Sequence, residues 1–126
     1  NPLASAASLA VLDIMAEERL AQRALETGTH MKARFQQLQR RHPALGDVRG
    51  RGLVMGLEFV RDPQTRAPAP ELTLQVMLAA ARRGLLLGRV GMYGNVVRIA
   101  PPLVITQADA DAGIDAIDAT LTELGS

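Results

Sequence analysis

The 126-residue chain is long enough for one domain with a buried core, since 48% of its residues are hydrophobic. Its 14 basic and 13 acidic residues leave a net charge of +1, and they are scattered along the chain, so neither a nucleic acid nor a membrane surface is the expected partner. The absence of cysteine excludes disulfides and thiolate metal sites, and it is consistent with a cytoplasmic protein.

The first third of the chain is predicted to be helical. Pro2 suits the first turn of a helix with Asn1 as its cap, and the alanine-rich segment Leu3–Met15 continues it. From Glu17 to Arg41 apolar or small residues recur every three or four positions, which is typical of one helix face against a core. That face is formed by Leu20, Ala24, Gly28, Met31, Phe35 and Leu38. Pro43 ends this helix, because the residue before a proline is displaced from helical geometry.

Three short segments have the pattern of strands. Apolar side chains alternate over residues 53–60, as in a strand with one face in the core. The apolar runs Leu85–Leu87 and Val96–Ile99 predict two further strands on either side of a glycine-rich loop. Pro101 and Pro102 then prevent the last strand from continuing.

Two more helices complete the predicted order. One covers Glu71–Arg83 and ends at Gly84, and the other begins at Thr106 with Asp109 completing a capping pair. The order of elements favours an α+β domain, with a small, largely antiparallel sheet of three to four strands and helices packed on one face.

Several polar groups are interpreted as structural. His30 and His42 have no partner at metal-ligand spacing and are expected at the surface or at a cap, so no metal site is predicted. The aspartates of the last helix are expected to form a solvated face: Asp109, Asp111, Asp115 and Asp118. Gly50-Arg51-Gly52 precedes a strand pattern, which argues against a dinucleotide-binding loop. Lys32 lies on the charged face of its helix, the ordinary place for a solvated lysine.

Arg98 is the one charge inside the last strand, between Val97 and Ile99. A guanidinium there favours an anionic partner, such as a carboxylate or a phosphate. Two alternatives stay open from the residues alone. Arg98 could lie on the solvent face of a half-buried strand, or it could pair with an acidic side chain of the same chain.

Three landmarks resemble, in order, the carboxy-terminal segment of class III aminotransferases. They are Asn1-Pro2-Leu3-Ala4, the segment from Asp47 to Leu53 that contains Arg49-Gly50-Arg51-Gly52, and residues 85–105 with Asn95-Val96-Val97-Arg98 and Pro101-Pro102-Leu103. The family consists of fold-type-I enzymes that use pyridoxal 5'-phosphate (PLP). The pattern is most similar to the 4-aminobutyrate and alanine–glyoxylate branches.

This resemblance implies that residues 1–126 are the carboxy-terminal small domain of an aminotransferase, with residues 1–16 as an interdomain or interface helix. The full enzyme would be a homodimer that transfers an amino group from an amino acid, with 4-aminobutyrate favoured, to a 2-oxo acid. Arg98 would bind the substrate carboxylate. Tyr93 would line the substrate entrance, or serve as a packing residue. Arg49 and Arg51 are interpreted as structural, in contact with the large domain.

The chain departs from the complete family pattern in two respects. The family holds PLP on a lysine, whereas the one lysine here is the solvated Lys32, and the family's upstream Gly-Thr-x-x-Gly segment is absent. No catalytic or cofactor-binding residue is therefore assigned. We expect the chain alone to be inactive without the large PLP-binding domain. The alternative is a free-standing module that binds small carboxylates or amino acids through Arg98.

Overall fold

The computed structural model describes residues 1–125, which form four helices and one sheet. Residue 126 of the predicted domain lies outside the described part. The helices are α1 (Pro2–Glu17), α2 (Leu20–Arg41), α3 (Pro70–Arg82) and α4 (Gln107–Glu123). The strands are β1 (Leu45–Arg51), β2 (Val54–Phe59), β3 (Gly88–Val90) and β4 (Val96–Ile99).

The sheet has the strand order β1-β2-β4-β3, and each neighbouring pair is antiparallel. This confirms the predicted α+β class with a small antiparallel sheet. The prediction of a strand at Leu85–Leu87 was wrong, because β3 begins at Gly88. Gly88 pairs with Arg98, so the same register would place Leu85 opposite Pro101, which has no N–H to donate. Leu85 and Leu87 pack against the core instead.

The two faces of the sheet differ in what covers them. Met55, Leu57 and Phe59 point from β2 toward the helices and are at most 2% exposed. Val97 of β4 pairs with Leu57 and is buried on the same side. The intervening residues of both strands, among them Arg98, lie on the opposite face, which none of the four helices within residues 1–125 covers.

Helix α2 supplies much of the core. All six of its predicted core residues are buried, and the helix ends at Arg41 with His42 extended, as Pro43 predicts. Gly28 packs directly on the turn between β1 and β2, where an added Cβ would overlap the carbonyl group of Gly52. Close packing is therefore the reason for glycine at this position.

Of the two histidines, which the sequence predicts at the surface or at a cap, His42 is the C-cap residue of α2. It is nevertheless buried, with the residue 6% exposed, and its Nε2 lies 2.8 Å from Oδ1 of Asp118 on α4. Arg41 donates to the other oxygen of Asp118 at 2.9 Å. Burial opposes ionisation of this carboxyl group, but the hydrogen bonds from His42 and Arg41 lower the pKa of Asp118 overall.

The prediction that the aspartates of α4 form a solvated face was wrong in part. Nε2 of His30 lies 2.7 Å from Oδ1 of Asp111, and Arg34 bridges Asp111 and Asp115 at 2.7 and 2.6 Å. The hydrogen bond with His30, followed by that from Arg34, lowers the pKa of Asp111. Asp109 instead has the predicted capping role, since its N–H donates to Thr106. The two polar faces meet because α2 and α4 pack side by side.

Helix α1 has no buried residue. It carries no charge before Asp13, and its large apolar side chains are exposed: Leu3, Leu9, Val11, Leu12 and Ile14. The predicted cap is present, with Asn1 Oδ1 accepting from the Leu3 N–H at 3.0 Å. Within residues 1–125, no helix has the length and apolar character needed to cross a membrane.

Candidate functional site

Arg98 lies on the uncovered face of the sheet. Its neighbours Val97 and Ile99 point into the core, and the alternation of a strand places Arg98 on the other side. The residue is exposed, and among residues 1–125 no side chain forms a hydrogen bond or an ion pair with its guanidinium. Of the two alternatives from the sequence, the structure has the solvent-facing arrangement and not the pair with an acid of the same chain.

Glycines flank Arg98 on both neighbouring strands. Gly56 of β2 and Gly88 of β3 are its register partners. No atom lies within 4 Å of the position that a Cβ on Gly88 would occupy. The guanidinium therefore has open space beside it, in which a planar carboxylate can approach and accept two parallel hydrogen bonds.

A second arginine, Arg49, shares this face but is paired with carboxylates. It lies opposite Gly56 in the β1–β2 register, and its Nη1 donates to Asp47 at 2.7 Å and to Glu58 at 2.5 Å. These two carboxylates raise the pKa of Arg49 above its ordinary value. The uncovered face thus carries Arg49 paired with two carboxylates and Arg98 without such a pair, a distinction that depends on strand register and has no local signal in the sequence.

Tyr93 lies in the loop between β3 and β4 and is 65% exposed. Gly91 and Gly94 bound the turn with positive φ angles of 88° and 61°, a region that favours glycine. Asn95 anchors the loop, because its side-chain amide donates to the Phe59 carbonyl at 3.1 Å and its own carbonyl accepts from the Phe59 N–H at 2.8 Å. Tyr93 is therefore no core residue of the described part, whereas Asn95 has a structural role that the sequence did not assign.

An apolar cleft of about 380 Å³ opens between the helices and the segment before β3. Phe35, Ile114 and Leu87 are among the apolar residues that line it, and Arg98 and Asp109 are its charged lining residues. The cleft therefore adjoins Arg98 on β4, but most of its lining consists of apolar side chains.

The residues present do not form a site for a lysine-bound cofactor. Lys32 Nζ donates to the carbonyl of Gly50 at 3.4 Å, at the hairpin turn between β1 and β2. Arg98 lies in the middle of the sheet, on β4. Lys32 thus holds a turn, and no reaction step is assigned to it.

The comparisons with known proteins agree with the sequence landmarks. A model of the aminotransferase class III family matches residues 1–121. Alanine–glyoxylate aminotransferase 2 homolog 2, a mitochondrial protein of Arabidopsis thaliana, is 40% identical over 98% of this chain and 26% of its own length. An alanine/serine racemase of Pyrococcus horikoshii is also 40% identical, again over 98% of this chain and 26% of that protein.

A solved structure supports the same relationship. The PLP-bound amine transaminase of an uncultivated Pseudomonas species has a TM-score of 0.87 and 34% identity, over 97% of this chain and 28% of its own. This chain therefore spans about a quarter of the length of the relatives it matches. With its landmarks, its fold and the family match all in agreement, the chain belongs to the class III aminotransferases.

Proposed function

We propose that residues 1–126 are the carboxy-terminal small domain of a PLP-dependent transaminase, and that Arg98 binds the carboxylate of its substrates. The observation that carries this proposal is the free guanidinium of Arg98 between Gly56 and Gly88. An exposed strand position with open space on its Gly88 side suits an anion that arrives from solution.

Arg98 contributes to the reaction by positioning. Two parallel hydrogen bonds to a carboxylate fix the substrate in orientation, and such fixation lowers the barrier of the step that follows. When bound by the remainder of the enzyme, PLP supplies the electron sink for amino transfer. Tyr93, at the tip of the loop beside β4, would contact the substrate from the entrance side.

Helix α1 is proposed to be the interdomain or interface helix. Its exposed leucines and the uncharged stretch before Asp13 favour burial against other protein surface. The uncovered sheet face would meet the large PLP-binding domain of the same enzyme, which would act as a homodimer. A cytoplasmic location is consistent with the absence of cysteine.

We propose 4-aminobutyrate as the amino donor and a 2-oxo acid as the acceptor. Both carry a carboxylate that Arg98 can bind. The principal competing reaction is racemisation of an amino acid, because a racemase is among the relatives. Racemisation also requires binding of the amino acid's carboxylate. The two activities differ in product: amino transfer yields a new amino acid, whereas racemisation inverts the amino acid supplied.

The test uses the full-length enzyme with PLP. We expect amino transfer from 4-aminobutyrate to 2-oxoglutarate to exceed transfer from L-alanine to glyoxylate, with no racemisation of L-alanine on chiral chromatography. Arg98→Ala should lower kcat/KM by about 100-fold or more, because a desolvated arginine–carboxylate pair is lost. Arg40→Ala removes another exposed arginine, on helix α2, and should have little effect. Unchanged kcat/KM in Arg98→Ala would contradict the assigned role.

The free-standing binding module is tested on the 126-residue chain itself. Calorimetry with 4-aminobutyrate should show no saturable binding, because the remainder of the pocket is contributed by other parts of the enzyme. Saturable binding that disappears in Arg98→Ala would favour the module instead.

A further inference from the structure

Glu58 is placed so that either of two arginines can hold it. It lies on the uncovered face, opposite Val96 in the β2–β4 register, while Arg98 is opposite Gly56. Glu58 and Arg98 are therefore diagonal neighbours on one face, a separation that long side chains span. In the structure, however, the Glu58 carboxylate is bound by Arg49.

Two features keep Glu58 on the Arg49 side, where Nη1 of Arg49 contacts both Asp47 and Glu58. Gly56 has no side chain, so the side chain of Arg49 can lie over β2 at this position. Its Cγ is 3.8 Å from the position that a Cβ on Gly56 would occupy. The Glu58 side chain is only 25% exposed, so this pairing is partly shielded from water.

We propose that Arg49 is a positioning residue that withholds Glu58 from Arg98 and so keeps the Arg98 guanidinium available to the substrate carboxylate. The inference rests on the role of Arg98 proposed above. Without Arg49, Asp47 and Glu58 would retain two uncompensated negative charges on the same face as a free cation. Glu58 would then pair with Arg98 and compete with the substrate for it.

The test measures kcat and KM for the carboxylate-bearing donor that the full-length enzyme accepts, together with the affinity for butyrate by calorimetry. Arg49→Gln should raise KM and weaken butyrate binding by about three- to tenfold, the effect expected of a competing partly exposed ion pair. The value of kcat should change less. Arg61→Gln is the matched control, since it also breaks an arginine–glutamate pair, with Glu71, that does not involve Arg98.

The double variant R49Q/E58Q separates competition from a general structural effect. A neutral amide at position 58 cannot form an ion pair with Arg98, so KM and butyrate affinity should return to the wild-type values. Glu58→Gln alone should leave both unchanged. Arg49→Lys, which keeps the charge but not the fork of donors, should give an intermediate KM and provides a milder variant if Arg49→Gln does not fold.

Two outcomes would overturn the proposal: an unchanged KM in both Arg49 variants, or an increase that Glu58→Gln does not reverse. Failure of the proposed function is a separate result. In that case the wild-type enzyme would not use a carboxylate donor, or Arg98→Ala would have no effect on kcat/KM.

Discussion

The two faces of the sheet are formed by alternate residues of the same strands, yet they have different tasks. Leu57 of β2 points to the helices and is 1% exposed. Its neighbours Gly56 and Glu58 point the other way, where Arg49 and Arg98 lie. Stability is therefore concentrated on the covered face, and the groups available for chemistry lie on the uncovered one. Substitutions on the two faces should separate these properties.

The largest effect is expected from Leu57→Ala. Removing a fully buried leucine leaves a cavity in the core and should lower the free energy of unfolding by about 3 kcal/mol. Val54→Ala is the comparison on the uncovered side of β2, where Val54 is 59% exposed, and it should cost less than about 1 kcal/mol. Urea denaturation of the chain measures both. Equal losses would mean that the two faces contribute alike.

Gly28→Ala should follow, with a loss of about 2 to 3 kcal/mol. The new methyl group would meet the backbone of Gly52, which cannot move without displacing the β1–β2 turn. Gly113→Ala in α4 is the control, because the nearest atom to its added Cβ is a leucine methyl at 3.8 Å. That substitution should be neutral or stabilising by up to about 1 kcal/mol, the helix propensity gained. Thermal unfolding by circular dichroism compares the two variants.

A smaller effect is expected from the ionisation of Asp111 between α2 and α4. Its pKa is lowered in the folded state from the ordinary 3.8 by His30 and then by Arg34. A lowered folded-state pKa adds stability above the unfolded-state pKa, and this contribution is lost as the pH falls through the folded-state value.

The corresponding measurement is urea unfolding from about pH 6 to about pH 2.5. Wild-type stability should decrease over the acidic part of this range, and Asp111→Asn should show a shallower decrease. Asp13→Asn, at an exposed position on α1, is the control and should follow the wild type. If all three curves coincide, the ionisation of Asp111 between α2 and α4 does not contribute to the pH dependence of stability.

The sequence predicted the elements whose pattern is strictly periodic. Residues of α2 that step by three or four, and residues of β2 that alternate, are buried as expected. Strand β1 lacked this signal because its register shifts between Leu45 and Asp47, and a bulge interrupts a period of two. Pairs between distant elements, such as His42 with Asp118, have no local signature, since they exist only after α2 and α4 have packed.

In the candidate site, too, the sequence predicted the residue with a local signal but not its surroundings. Arg98 stood out because it is a lone charge in an apolar strand, and a family motif supported it. Its open surroundings depend on Gly56 and Gly88 becoming its neighbours, which requires the strand order and both registers. The pairing of Arg49 with Glu58 has the same origin.

The smallest effect on stability, and the sharpest contrast between the faces, is expected from Gly88→Val. A Cβ at residue 88 meets no atom within 4 Å, and valine suits a strand, so the free energy of unfolding should change by less than about 0.5 kcal/mol. The same side chain would occupy the space beside Arg98, so the full-length enzyme should bind butyrate more weakly.

Val90→Ile is the control for Gly88→Val. It enlarges the next residue of β3 on the same face, opposite Val96 and away from Arg98, and should leave butyrate affinity unchanged. If Gly88→Val retained full affinity, the carboxylate would have to approach Arg98 from the Gly56 side. That result would bring the substrate nearer to Arg49 and Glu58, and would make the pairing of those two residues matter more for binding.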